Sequence, residues 1–190
     1  MLSNRNYALG GANLTPHYVR GIVDGEGCFS VGLSANKAPR TGYFTMLEFK
    51  VTQKAHSAGI LYDLQRFFTG LRKTSKPVGS VVIDNRRDNT LKFKVTSLSV
   101  IINVILPFFD ANPLITAKCL NYKAFREIAL LMNSGAHLTA PLVLPPTSGG
   151  GVRTDGIEKI KIIKDSMNLK VSFADKYQFM VNFPPVICAE

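Results

Sequence analysis

Tryptophan is missing from this 190-residue chain, and acidic residues are scarce, with 13 Asp and Glu against 23 Lys and Arg for a formal net charge of +10. Such an excess points to a polyanionic partner, nucleic acid or an anionic membrane surface, and carries no information on fold. Cysteine is sparse as well. Cys28, Cys119 and Cys188 are an odd number at wide, unpatterned spacing, which argues against a disulfide framework and a structural zinc site and suits a reducing compartment. No apolar run approaches the roughly 18 residues that a spanning helix needs. The opening MLSNRNYALGG lacks a signal-peptide core, and its one Arg is too few for a transit peptide, so no targeting segment is expected there. What is plentiful is apolar residue, 46% of the chain, enough for the core of one ordinary domain and against extended disorder.

Periodicity predicts the elements. Thr15 can cap a helix over Thr15–Gly25, with Pro16 at its first position, an apolar stripe of Tyr18, Val19, Ile22 and Val23, and Gly27 to end it. From Cys28 to Ser34 the pattern alternates, Phe29, Val31 and Leu33 on one face, as a half-buried strand does. KAPRTG at 37–42 is a turn, and Tyr43–Gln53 reads as the returning strand. Ser57 is expected to cap a helix carrying Ile60, Leu61, Leu64, Phe67 and Phe68 and ended by Gly70. A second hairpin is predicted from Leu71–Ile83 and Thr90–Thr96 across the turn-rich Asp84–Asn89. Ser97 or Ser99 should cap a short helix ending near Pro107, Thr116–Met132 should be the longest helix, and Ile157–Met167 a lysine-rich amphipathic one. PLVLPPTSGGG, at Pro141–Gly151, reads as an inserted loop. The order implies an α+β domain with one antiparallel sheet covered by helices.

The most informative stretch is YVRGIVDGEG, Tyr18–Gly27. Glycine costs about 1 kcal/mol relative to alanine inside a helix, so Gly21 and Gly25, four residues apart on one face, need a reason. Missing side chains let another backbone approach closely. Asp24 and Glu26 then place two carboxylates at the helix C-terminus, the unfavourable end of its dipole. A divalent cation held by oxygen ligands would compensate. A glycine-rich turn with solvated acids is the plainer alternative on composition alone.

Val19–Gly27 resembles the nine-letter motif of the LAGLIDADG homing endonucleases, keeping Gly21, Asp24 and Gly27 and carrying Glu26 for the last Asp. Companion segments are similar in the same order: Val51–Lys54, Val95–Ser97, Pro107-Phe-Phe, Pro113–Lys118, His137–Thr139 and Gly156–Asn168. The resemblance implies the fold αββαββα(α) with a saddle-shaped antiparallel sheet. It implies one endonuclease domain over 15–185 with an insert at 140–156, an arm at 1–14 and a tail at 186–190. Two motif helices in this family pack through their glycines, so Gly21 and Gly25 are carried over as a dimer interface. One motif per chain implies a homodimer on a nearly palindromic double-stranded DNA site. Cleavage of both strands would be metal-assisted, across a minor groove, leaving short 3′ overhangs. Glu26 and the Gly25 carbonyl are carried over as ligands of Mg²⁺ (or Mn²⁺), with Asp24 holding the turn. Gln53 matches a position that orders water near the scissile phosphate, and Lys118 a basic residue near that phosphate.

Recognition is expected on the sheet's outward face. Phasing the strands by their apolar residues leaves Cys28, Ser30, Gly32 and Ser34 outward on the first, and Glu48 and Lys50 on the second. The second hairpin offers Arg72, Thr74, Lys76, Lys92 and Lys94. Two-stranded ribbons fit a major groove, where Arg and Lys favour guanine edges and phosphates. Lys159, Lys161, Lys164 and Lys170 read as helix-solvating or phosphate-touching residues. The leading expectation is a metal-dependent DNA endonuclease, intron-encoded by family habit and organellar, mitochondrial before chloroplast. The alternative is a nucleic-acid-binding module, such as an intron RNA maturase, whose cleavage is lost or secondary. A membrane-surface protein has little support, since the helix at 157–167 has no bulky aromatic anchor.

Overall fold

A computed structural model describes residues 14–35, 43–72, 75–138 and 156–167. The element order is α1 (Pro16–Glu26), β1 (Gly27–Ala35), β2 (Tyr43–Lys54), α2 (Gly59–Leu71), β3 (Ser80–Asn85), β4 (Thr90–Val95), α3 (Leu98–Val100), a π-helical turn (Ile101–Ile105), α4 (Leu106–Ala111), α5 (Lys118–Asn133) and α6 (Gly156–Ser166). The strands form one open antiparallel sheet in the order β1-β2-β4-β3, the α+β class expected. Most of the arm, the insert and the tail, together with Cys188, Lys170 and Thr74, lie outside the described residues.

Two compact units divide the chain. Among the described residues, the first comprises those up to Cys28 and from Phe49 to Asn112, and the second those from Phe29 to Glu48 and from Pro113 onward. In the first, Phe49 sits inside an aromatic cluster, its ring centroid 5.9 Å from Phe68, 6.3 Å from Phe93 and 5.6 Å from Phe109, all edge-on. Such contacts add to simple area burial because ring edges and faces carry opposite partial charge. Strand alternation buries Phe49 and Val51 of β2 and Phe93 and Val95 of β4, as the period of two requires. In the second unit Phe29 meets Tyr122 and Phe125 of α5, each at 5.3 Å, and Leu47 and Ile128 of the same unit are also buried. The Lys161 ammonium of α6 lies 4.4 Å from the Tyr43 ring centre. The hydrogen bond to the Tyr43 hydroxyl holds the lysine's pKa above its ordinary value.

Three expectations are corrected. β3 starts at Ser80, not Leu71. Helix α2 runs on to Leu71, and the segment after it is tied back to that helix: the Val78 amide donates to Thr69 Oγ1 (2.9 Å) and Gln65 Nε2 donates to the Gly79 carbonyl (2.9 Å). Val78 is fully buried, and Gly79 takes φ +66, where an added Cβ would run into the Lys94 carbonyl. Arg72 therefore sits at the α2 C-cap and Lys76 in an exposed bend, so neither belongs to a strand face. Ser57 does not cap α2; the N-cap is Ala58, without a side-chain bond. The helix after Ser97 passes through Pro107 instead of ending there. The preceding π turn, with its wider ring, accommodates the ring clash and missing donor that Pro brings to an α-helix.

Candidate active site and nucleic-acid interface

Helix α1 is built to present its end. Thr15 Oγ1 accepts from the Tyr18 amide at 3.3 Å and Pro16 occupies the first turn, satisfying one orphan donor and pre-setting φ. Val19 and Val23 are fully buried and anchor one side. Tyr18, Gly21, Ile22 and Gly25, spaced by three and four residues, share another side. Gly21 and Gly25 are exposed there, and a Cβ on either would meet nothing within 4 Å among the described residues. Gly27 differs. Its amide caps the helix on the Val23 carbonyl, and a Cβ there would stand 2.5 Å from Val23 Cγ1 and 2.7 Å from the Val23 oxygen. Only glycine turns the helix directly into β1, with no loop between them.

Glu26, the last helical residue, is exposed, and Asp24 is half-buried. The last turn of α1 carries no basic residue, and acids at a helix C-terminus meet the negative end of its dipole. Gln53, the penultimate residue of β2, pairs with Leu91. By alternation it leaves the sheet on the side of Phe49 and Val51, opposite the face of Lys50. Beyond it, the Lys54 ammonium donates to the Asp88 carbonyl at 2.8 Å, fixing the strand end. Lys118 opens α5 in the second unit, half-buried, its amide on Thr116 Oγ1 at 3.3 Å.

The other sheet face is cationic. Lys50 stands opposite Lys94, Thr52 opposite Lys92, and β3 adds Ser80 beside Lys94 and Val82 beside Lys92. Like charges placed directly across strands repel, and a polyanion relieves that cost. Lys92 already holds Asp84 at 3.0 Å. Ser30 Oγ donates to the Glu48 carbonyl at 3.2 Å, orienting its hydroxyl at the surface. Gly32 and Ser34 are exposed and Glu48 half-buried. The face thus gathers Lys50, Lys92 and Lys94 but not Arg72 or Lys76. The sequence reading missed Thr52, Ser80 and Val82, and also Phe44 and Met46, 52% and 44% exposed on the same β2 parity as Lys50. The alternation that selected Glu48 and Lys50 extends to both.

A family model described as LAGLIDADG endonuclease matches residues 19–129. The chain belongs to this family. Among solved structures, the homing endonuclease I-TnaI is similar with a TM-score of 0.67 and 30% identity, covering 90% of this chain and 98% of that one. I-SmaMI bound to uncleaved DNA with calcium ions is similar with a TM-score of 0.69 and 30% identity, covering 87% of this chain and 49% of that one. A curated relative, probable intron-encoded endonuclease 3 of Neurospora crassa, is 27% identical over 173 residues, 91% of this chain. The chain spans 28% of that relative's length. The matched region opens within the glycine-bearing α1.

Proposed function

We propose that the chain is half of a site-specific double-strand DNA endonuclease, completed by a second copy of itself. The carrying observation is on α1, where exposed Glu26 ends a helix whose Gly21 and Gly25 side is open. Two such helices packed glycine to glycine set their ends together and bring two Glu26 carboxylates to one place. Within one copy, no group of three or more His, Cys, Asp or Glu among the described residues gathers to hold a metal ion, which supports sharing between copies. The donors offered, the Glu26 carboxylate and the Gly25 carbonyl, are hard oxygens that suit Mg²⁺ (or Mn²⁺). The ion, when bound, supplies Lewis acidity at the phosphate and lowers the pKa of attacking water. Gln53 would orient water with its amide, and the Lys118 ammonium would face the phosphate. Neither is a conventional general base.

A two-fold pair of copies would read a long, nearly palindromic site and cut it across the minor groove. Similarity to a DNA-bound endonuclease of which the chain covers 49% supports one copy per half-site. An intron-encoded fungal relative supports an organellar setting, mitochondrial before chloroplast. Glu26→Gln tests the reading. Cleavage of a plasmid library in Mg²⁺ should fall on the order of 10²-fold or more, while DNA affinity stays close to that of the unmodified chain. A folded Glu26→Gln protein that still cuts would remove Glu26 from the site.

A further inference from the structure

Phe44 and Met46 are surplus to the core. They stand 52% and 44% exposed on a strand face whose next outward residues are Glu48, Lys50 and Thr52. Buried Thr45 and Leu47 point the other way. The floor beside them is smooth: a Cβ on exposed Gly32 of β1 would lie 3.8 Å from both Met46 Cβ and Met46 Cε. Apolar side chains on such a face gain nothing from phosphates, and on a sheet face laid in a DNA groove they would need an apolar partner.

The major-groove edge of a base pair offers one apolar group, the C5-methyl of thymine. We propose that Phe44 and Met46 read thymine methyl groups in the outer part of each half-site, an assignment that rests on the DNA reading above. Phe44 supplies a flat ring, and Met46 an unbranched, polarizable chain that adapts to the methyl's position. Along β2, Met46 and Phe44 lie seven and nine residues before Gln53, on the side away from the proposed cleavage centre in chain order.

The test takes a duplex selected by binding to the full chain in Ca²⁺, and replaces each thymine singly by deoxyuracil, which removes only the methyl. We expect one or two outer positions per half-site to lose about fourfold in affinity, the equivalent of about 0.8 kcal/mol for one buried methyl group. Phe44→Ala and Met46→Ala should each abolish discrimination at one of those positions while thermal melting stays near that of the unmodified chain. Phe44→Gln serves as a second variant should Phe44→Ala fail to fold. Indifference to every deoxyuracil, or discrimination unchanged in the variants, overturns the assignment. Because selection is by binding, absence of cleavage in Mg²⁺ would count against the nuclease reading alone.

Discussion

At the scale of single residues, the two glycines within α1 and the one that caps it have opposite tasks. Gly27 is required by its own chain, since the Cβ of Gly27→Ala would press on the Val23 side chain and carbonyl at 2.5 and 2.7 Å. The expected loss is about 1–3 kcal/mol, in the range of overpacked cores. Gly21→Ala meets nothing within 4 Å among the described residues and should stabilise an isolated chain by up to about 1 kcal/mol through helix propensity, while weakening any assembly built on close approach of that side. Urea denaturation of the two variants checks the contrast; equal destabilisation would contradict it. The spacing of Gly21, Gly25 and Gly27 and the acids between them were legible in the sequence because they break the helix rule in a pattern. The direction of Gln53 followed from the alternation that phased the strand: its parity with Phe49 and Val51 puts it on the side opposite the lysines. His137 was legible only as part of a similar segment; burial pushes its imidazole pKa down, with a hydrogen bond to the Met132 backbone opposing that shift.

At the scale of elements, the first hairpin and its phase followed from strict alternation, and the structure buries Phe29, Leu47, Phe49 and Val51 accordingly. The stretch after α2 misled because Leu71, Pro77 and Val78 supply apolar residues without a strand's backbone. Side-chain bonds from Thr69 and Gln65 hold it instead, and such long-range partners have no local signal. Pro107 misled in the other direction, since a π turn before it removes the reason to stop. Phe49 joins β2 to α2, β4 and α4 through its ring contacts with Phe68, Phe93 and Phe109. Phe49→Ala is therefore expected to cost about 3–5 kcal/mol, read as a shift of the urea midpoint at unchanged slope. A loss below about 1 kcal/mol would mean that the cluster collapses around the gap.

At the scale of the whole molecule, the +10 charge finds its place in part on a sheet face where Lys50 and Lys94 oppose each other. The two acids of the proposed site, Asp24 and Glu26, sit at one helix end. On the proposed function, cutting two strands would call for Glu26, the glycine side of α1 and the cationic ribbon twice each. The direct measurement is the stoichiometry of the full chain on its selected duplex in Ca²⁺, by sedimentation velocity at micromolar protein. Two copies per duplex are expected, with Gly21→Leu reducing the complex to one copy or none. One copy per duplex for the unmodified chain, still cutting both strands when Mg²⁺ is supplied, would contradict a catalytic centre shared between two copies of α1.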